Sequence, residues 1–327
     1  MTTTFAWGFN PGQHAIKNAI IPDIGKRRDS ASFLAVMAPW AASDDLGLSA
    51  PTSREVHEVT VRGTRWLIGR RAARQPNAIR QFAETRLQDS GAAYEVFASM
   101  SLQRLKLTPG AELYIATALP VAWLTSETEA TLAHAVRASV AANPDLLVVK
   151  QLVVKNEAAA VVYAELLDDT GALRSGREDL GRGVVCVADI GGSTCNYTVL
   201  DQIRPIENES RSPLLGSYQV IVDIANSDGT DLIDAEQRVL DHLANGCDSV
   251  IARMLDQYAQ AVIGELQRAW RTRKPVAYLV AGGTSIWIAP QLMKAFGPKL
   301  RIVGNQPQQT IAIGLARLAA MQRGRAR

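Results

Sequence analysis

Apolar positions along this chain fall into short runs broken by glycine, proline and charge, and the spacing of the runs switches between strand and helix more than once. Thr4 to Phe9 reads as a strand closed by the turn Asn10-Pro11-Gly12, and Gln13 to Ile21 continues as a second strand carrying Ala15, Ala19 and Ile21. Proline, glycine and polar residues then punctuate Pro22 to Ser53, with Phe33 to Met37 a short buried strand inside that region. Val56, Val59 and Val61 alternate up to a turn at Arg62-Gly63, and Trp66 and Ile68 resume beyond it, the pattern of a β-hairpin. Between Ala92 and Leu107 the period becomes helical, with Tyr94, Phe97, Met100, Leu102 and Leu105 on one face.

The alternation continues with a strand at Leu113 to Ala118 and a helix from Glu127 to Ala142, for which Ser126 is the expected N-cap and Glu129 the capping-box partner. Leu146 to Val154 reads as a buried strand, Glu157 to Leu167 as a helix, and Asp168 to Arg182 as an exposed, charged connection. A new unit opens at Gly183. Its strand Val184 to Ala188 leads into the turn Asp189-Ile190-Gly191-Gly192-Ser193-Thr194 and a second strand, Asn196 to Leu200. Helices at Asp231 to Leu243 and Cys247 to Arg271 follow, then a strand at Val276 to Val280 that runs into Ala281-Gly282-Gly283-Thr284-Ser285. A helix from Gln309 to Met321 ends the pattern. Strands followed by helices, twice, predict two α/β lobes with mixed sheets and a cleft between them.

Composition narrows the class. With 327 residues, 47% hydrophobic and 20% charged, the chain has core enough for two lobes and is neither disordered nor a disulfide scaffold. Its 3 cysteines show no CxxC spacing, and its 4 histidines are scattered, so neither a zinc site nor histidine chemistry is expected. A net charge of +3 gives no reason for direct nucleic-acid binding. No apolar run reaches the roughly 18 to 20 residues of a membrane helix, and the segment MTTTFAWGFNPG lacks a signal-peptide pattern, so a cytoplasmic protein without membrane contact is expected.

The chemistry is carried by the glycine turns. A strand ending in an acid, two glycines and Ser-Thr lets the backbone approach a phosphate and aims N–H groups at its oxygens, while Ser193 and Thr194 add hydroxyl donors. Asp189 at the strand mouth could hold a hydrated Mg²⁺ or orient an attacking water; the same residues could also be a plain hairpin with an acid at its shoulder. Asn10 to Lys17 occupies the equivalent turn of the first half, and Gly282-Gly283-Thr284 is a third glycine turn, suited to adenine and its α-phosphate.

With Val154-Lys155-Asn156-Glu157-Ala158-Ala159-Ala160 between them and Thr310-Ile311-Ala312-Ile313-Gly314-Leu315 near the end, these five segments resemble the phosphate 1, connect 1, phosphate 2, adenosine and connect 2 motifs of the actin/Hsp70/hexokinase ATPase superfamily. The chain is most similar to bacterial actin-like proteins of the ParM type, through its length, the hairpin Val61 to Gly69 followed by Ala72, and Ala118-Leu119-Pro120-Val121. The resemblance implies a two-lobed, duplicated ribonuclease H-like α/β fold: one domain from 1–182 and 309–327 with an outer part at about 22–80, the other from 183–308 with an outer part of two helices at about 215–273.

It further implies a filament-forming ATPase that acts in plasmid segregation or as a cytoskeletal polymer. ATP, or GTP, with Mg²⁺ would lie against Asn10, Gly12, Lys17, Gly191, Gly192, Ser193, Thr194, Gly282, Gly283 and Thr284. Glu157 would position the hydrolytic water beside Asp189, Asn10 and Asp189 would hold the metal through water, and Asp234 or Glu236 would face the ribose. Partners implied are further copies of the chain and a DNA-binding adaptor. Two departures stand out: Asn10 where the family has aspartate, and Asn156 where connect 1 often has proline. Alternatives are a small-molecule kinase, with Asp145, Asp168 or Asp169 as its base, and a scaffold with little hydrolysis. The basic terminus Gln322 to Arg327 reads as a solvated tail or as a filament or DNA contact.

Overall fold

A computed structural model describes residues 3–12, 14–23, 28–40, 58–73, 75–80, 91–105, 107–246 and 248–326. Gln13, Val56 and Cys247, which the sequence assigns to elements, lie outside these residues. The first half contains β1 (Thr4–Pro11), β2 (Ala15–Pro22), β3 (Asp29–Leu34), β4 (Val36–Pro39), β5 (Glu58–Val61), β6 (Thr64–Ile68), α1 (Arg70–Ala73), β7 (Ile79–Arg80), α2 (Ala92–Leu105), β8 (Glu112–Leu119), α3 (Ser126–Ala141), β9 (Val148–Asn156), α4 (Glu157–Leu166) and α5 (Asp179–Arg182). In the second half are β10 (Val184–Ile190), β11 (Cys195–Asp201), β12 (Arg204–Arg211), α6 (Tyr218–Asp228), α7 (Leu232–Asn245), α8 (Ser249–Trp270), β13 (Ala277–Ala281), α9 (Ala289–Phe296), β14 (Leu300–Ile302) and α10 (Thr310–Arg325).

Two five-stranded sheets share one design. Their orders, β3-β2-β1-β8-β9 and β12-β11-β10-β13-β14, are the same sequence of antiparallel and parallel neighbours. A separate antiparallel sheet, β5-β6-β4-β7, belongs to the first half. Its β5–β6 hairpin turns at Arg62 and Gly63, both with positive φ (49° and 79°), the primed turn whose twist suits a two-residue loop.

Side-chain size alternates across the inner strands, and this sets the layers. On β1, Trp7 and Phe9 face outward onto α2 and α3, while Ala6 and Gly8 face inward. The inner faces of both sheets close on one central core that contains α4 and α10. Small inner residues let the helices come in to backbone distance. A Cβ at Gly8 would collide with the backbone of Ala312 and Ala316 on α10, and one at Gly314 with the carbonyl of Ala160 on α4. The outer face of the second sheet packs on α6, α8 and α9.

Several elements differ from expectation. The second half's outer part holds three helices, α6, α7 and α8, because residues 218–228 also wind into a turn-capped helix. Helix α3 starts one residue early: Thr125 is its N-cap, and Thr128 supplies the reciprocal hydroxyl of the capping box, so Ser126 and Glu129 do not. The strand expected to be buried at Leu146 to Val154 is the sheet-edge strand β9, and Leu146 before it is 79% exposed. Edge position explains this, since one flank of β9 has no strand to cover it. The basic terminus is solvated only in part: α10 continues to Arg325 and residues 324–326 are exposed, but Arg323, 6% exposed, donates to the carbonyl of Ile21 at 3.0 Å.

Gly314→Ala tests the central crossing. Helix propensity alone favours alanine by about 1 kcal/mol, but overpacking typically costs about 1 to 3 kcal/mol and here would be set against a backbone carbonyl. Urea unfolding is expected to show a net loss of up to about 2 kcal/mol for Gly314→Ala. Gly324→Ala, on the same helix with open space around it, is expected to be neutral or stabilising by up to about 1 kcal/mol.

Candidate functional site

The alternation that layers the sheets also brings three polar side chains together. Asn10 follows Ala6 and Gly8 on the inner face of β1, and Asp189 follows Val185 and Val187 on the inner face of β10. Helix α4, which lies in the central layer, begins with Glu157. Asn156 caps it by accepting from the N–H of Ala159 at 2.6 Å, which gives the departure from proline a structural role. Asn10 Nδ2 donates to Glu157 Oε1 at 2.7 Å, and both residues are buried.

Charge is under-compensated here. Burial, with the Asp189 carboxylate next in weight, pushes the Glu157 carboxyl up to about 7, against the opposing pull of Lys17 and of the Asn10 hydrogen bond. A helix N-terminus favours a carboxylate by only about 0.3 to 1 kcal/mol, so burial wins. Asn10 Oδ1 and Asp189 Oδ1 are buried without a hydrogen-bond partner, and buried acceptors of this kind suit a cation or its water. Among the described residues no group of three or more His, Cys, Asp or Glu could cage a metal, so a divalent ion would need most of its ligands from water and a bound oxyanion.

Glycine turns surround these groups. Lys17 pairs with Asn10 across β1–β2, and its Nζ stands 3.6 Å from where a Cβ of Gly12 would be. The β10–β11 turn is closed by Gly191 N–H donating to Thr194 O at 2.9 Å, which leaves Gly192 and Ser193 at its tip. Gly282, at φ 92°, has no room for a Cβ beside Ile190 O and Asp189 Oδ1, so the third turn lies directly on the mouth of β10. Thr284 Oγ1 ties that turn to Gly191 O at 3.2 Å and to Ser217 Oγ at 3.0 Å, and Gly283 lies against Gln308.

Three participants escaped the sequence reading. Gly216 and Ser217 back the β10–β11 turn, with the N–H of Tyr218 donating to Gly192 O at 2.7 Å. The turn Leu215-Gly216-Ser217 ahead of a helix was a visible signal for them. Asn196 pairs with Asp189 across β10–β11 and so shares its face, and its Oδ1 is also buried without a partner; counting back across the turn would have found it. Asp234 and Glu236 are on α7, which packs on α6 and α8.

No protein-family model matches the chain, and no curated protein matches it. Solved structures do. The psk41 ParM protein in its apo form is 12% identical, with 98% of each chain covered and a TM-score of 0.73. An archaeal actin homolog is 14% identical over 99% of this chain and 100% of its own, with a TM-score of 0.70. Bacillus thuringiensis ParM with ATP is 13% identical over 99% of this chain and 100% of its own, at 0.68. The fold is actin-like.

In this actin-like fold a small solvent-open pocket lies between the halves, lined by Pro120, Val121 and Glu157 from one half and by Asp189, Asn196 and Arg211 from the other. Among the described residues no helix of the actin-like chain is long and apolar enough to cross a membrane.

The Glu157 environment makes a prediction that needs no ligand. Its carboxyl holds a proton to about 7 in the fold but only to about 4.5 when unfolded, so the folded state binds more protons between those values. Stability should therefore fall as pH rises from about 4.5 to about 7 and stay level above, by about 3 kcal/mol at about 1.4 kcal/mol per pKa unit. Glu157→Gln keeps an acceptor for Asn10 and removes the titration. In urea melts without nucleotide or metal the variant should gain stability over wild type at pH 8 and match it at pH 4.5; parallel curves would mean an ordinary carboxyl.

Proposed function

We propose that the chain binds Mg-ATP, or Mg-GTP, in the cleft between its halves, hydrolyses it, and polymerises head to tail in a nucleotide-dependent way. The observation that carries this reading is the convergence of Asn10, Glu157 and Asp189 at the mouth formed by the glycine turns. In support, Bacillus thuringiensis ParM was solved with ATP and the archaeal actin homolog with ADP. Domains of 1–182 with 309–327 and of 183–308, with outer parts at about 22–80 and 215–273, would move about the α4–α10 crossing. Open head-to-tail contacts give a helical polymer, with a DNA-binding adaptor and a role in plasmid segregation or the cytoplasmic cytoskeleton as the biological setting the resemblance implies.

Within that reading the residues divide the work. Gly12, Gly191 and Gly192 give the phosphates backbone N–H groups, Lys17, Ser193 and Thr194 add side-chain donors, and Gly282, Gly283 and Thr284 face the base and sugar side. Asn10 holds Glu157 Oε1 and thereby leaves Oε2 to accept a hydrogen bond from the attacking water. With its carboxyl near 7, Glu157 can take the proton that this water releases as its oxygen bonds to the γ-phosphorus and the diphosphate leaves. Asn10 Oδ1 and Asp189 Oδ1 would hold Mg²⁺ through water; when bound, the ion neutralises phosphate charge. The kinase alternative loses two of its acids: Asp168 Oδ1 caps its own turn through Thr170 and Ala172, and Asp169 is bound by Arg28 and Arg317.

Negative-stain microscopy with and without Mg-ATP should reveal filaments only with nucleotide, and Asp189→Ala should slow phosphate release by about 10²-fold or more. If millimolar nucleotide fails to bind, this reading is wrong. Asn10→Asp sets a second carboxylate against Glu157, so at neutral pH the pair would share a proton. Phosphate release by that variant is expected to drop below wild type as Mg²⁺ is withdrawn and to recover when it is restored. Superimposable Mg²⁺ titrations would put Asn10 outside the reacting site.

A further inference from the structure

The two five-stranded sheets present four edges among the described residues, and three of these carry features that keep other strands away. β12 holds Pro205, Glu207 and Glu209, has Asn208 at a φ of 62°, and breaks register against β11. β14 is only three residues long, and β3 sets Asp29, Ser30 and Ser32 along its length. Proline, charge, irregular backbone and shortness are the devices that blunt a sheet edge. β9 has such features only towards its ends. Lys150 is the extra residue where the register against β8 shifts, and Lys155 at the other end adjoins Asn156, the cap of α4.

Between those limits the strand is regular. Gln151, Val153 and Lys155 pair with Tyr114, Ala116 and Ala118 and share the inner face, while Leu152 and Val154 lie on the outer face with Ile115. Gln151, Leu152 and Val153 are only half-buried, and among the described residues 151–155 make no backbone hydrogen bond across the flank away from β8. The run is polar, apolar, apolar, apolar, polar, a pattern that is the same in both directions. An antiparallel copy centred on Val153 sets Val153 against Val153, Leu152 against Val154 and Gln151 against Lys155, so that no lysine meets a lysine and no apolar residue meets a charge. Moving the centre to Leu152 sets Val154 against the bulged Lys150, and moving it to Val154 sets Val153 against Lys155. One register is therefore self-complementary and its neighbours are not.

We propose that the free edge of β9 is an interface for a second copy of this chain: a two-fold antiparallel strand pair with Val153 on the axis, which joins the first-half sheets of two molecules into one. The contact is isologous, so it closes at two copies, unlike an open head-to-tail contact, and it needs no nucleotide. Five paired residues a side make a small interface, and interfaces of that size are transient, so the pair dissociates at micromolar concentration.

Sedimentation velocity of the full chain at low salt, without nucleotide or metal and across the micromolar range, tests it. Wild type should pass from monomer to dimer as concentration rises and go no further. Position 151 faces Lys155 of the second copy twice across the two-fold, so one substitution there changes two pairs. Gln151→Lys should weaken the dimer by about five- to tenfold, and Gln151→Glu should tighten it by a similar factor. Combining Gln151→Lys with Lys155→Glu restores opposite charges and should bring back an affinity at least that of wild type. Both single variants should keep the wild-type urea midpoint, because the half-buried side chain of Gln151 stands at the rim of the sheet. The proposal is overturned if wild type stays monomeric throughout, if assembly grows past two copies, or if the two single variants associate alike.

Discussion

Everything in this molecule is referenced to the place where α4 and α10 touch backbone to backbone. Gly314 lies against the carbonyl of Ala160, and Gly8 of β1 lies against α10 one layer further out. Close-packed interiors transmit displacement, so a methyl group at either glycine would move one sheet relative to the other. The spacing of the sheets in turn decides whether the mouths of β1 and β10 meet at the first turn of α4. Small residues at the crossing are therefore a condition for the polar cluster, although they carry no chemistry themselves.

That cluster is built in a way that folding alone would not favour. Two carboxylates, Glu157 and Asp189, stand close enough to raise the Glu157 carboxyl, and the available compensation is one lysine and one amide. Three acceptor oxygens, those of Asn10, Asp189 and Asn196, are left buried and unpaired. Each unmade hydrogen bond of a buried group costs about 1 to 3 kcal/mol, an expense that a stable fold avoids unless the group has an outside partner. Asn10 in place of an acid lightens the load: its amide donates to Glu157, where a carboxylate would have repelled it. The amide at position 10 is thus matched to Glu157.

The two halves share one sheet design and differ in what is added to it. Identical strand orders give each half a glycine turn between its first two strands. Onto that frame the first half adds a small antiparallel sheet, tied to α2 by Arg62 and the buried Glu95 at 2.6 Å. The second half adds three helices, joined by Arg238, which contacts Asp228 at the end of α6 and Asp248 at the N-cap of α8. Partly exposed pairs of this kind contribute little to stability, and their use here is to orient one element against the next.

Local pattern was enough to read most elements, the glycine turns, the doubled strand-then-helix order and the acids beside them, because alternation and turn chemistry are properties of neighbouring residues. Thr125 could be mistaken for its neighbour Ser126 because capping depends on which backbone bends first, and adjacent hydroxyl residues look alike in sequence. The exposed flank of β9 was invisible for another reason: an edge strand and a central strand carry the same apolar run, and only the sheet order separates them. Burial of Arg323 was hidden likewise, since a basic end looks solvated until the carbonyls of β2 are found beside it. The sequence by itself thus determined the fold class and the glycine turns with the acids beside them. Tertiary structure alone decided that Asn10 donates to Glu157, that Gly216 backs Gly192 and that His14 lies across it, because contacts between residues far apart in the chain depend on how two sheets are spaced by the helices between them.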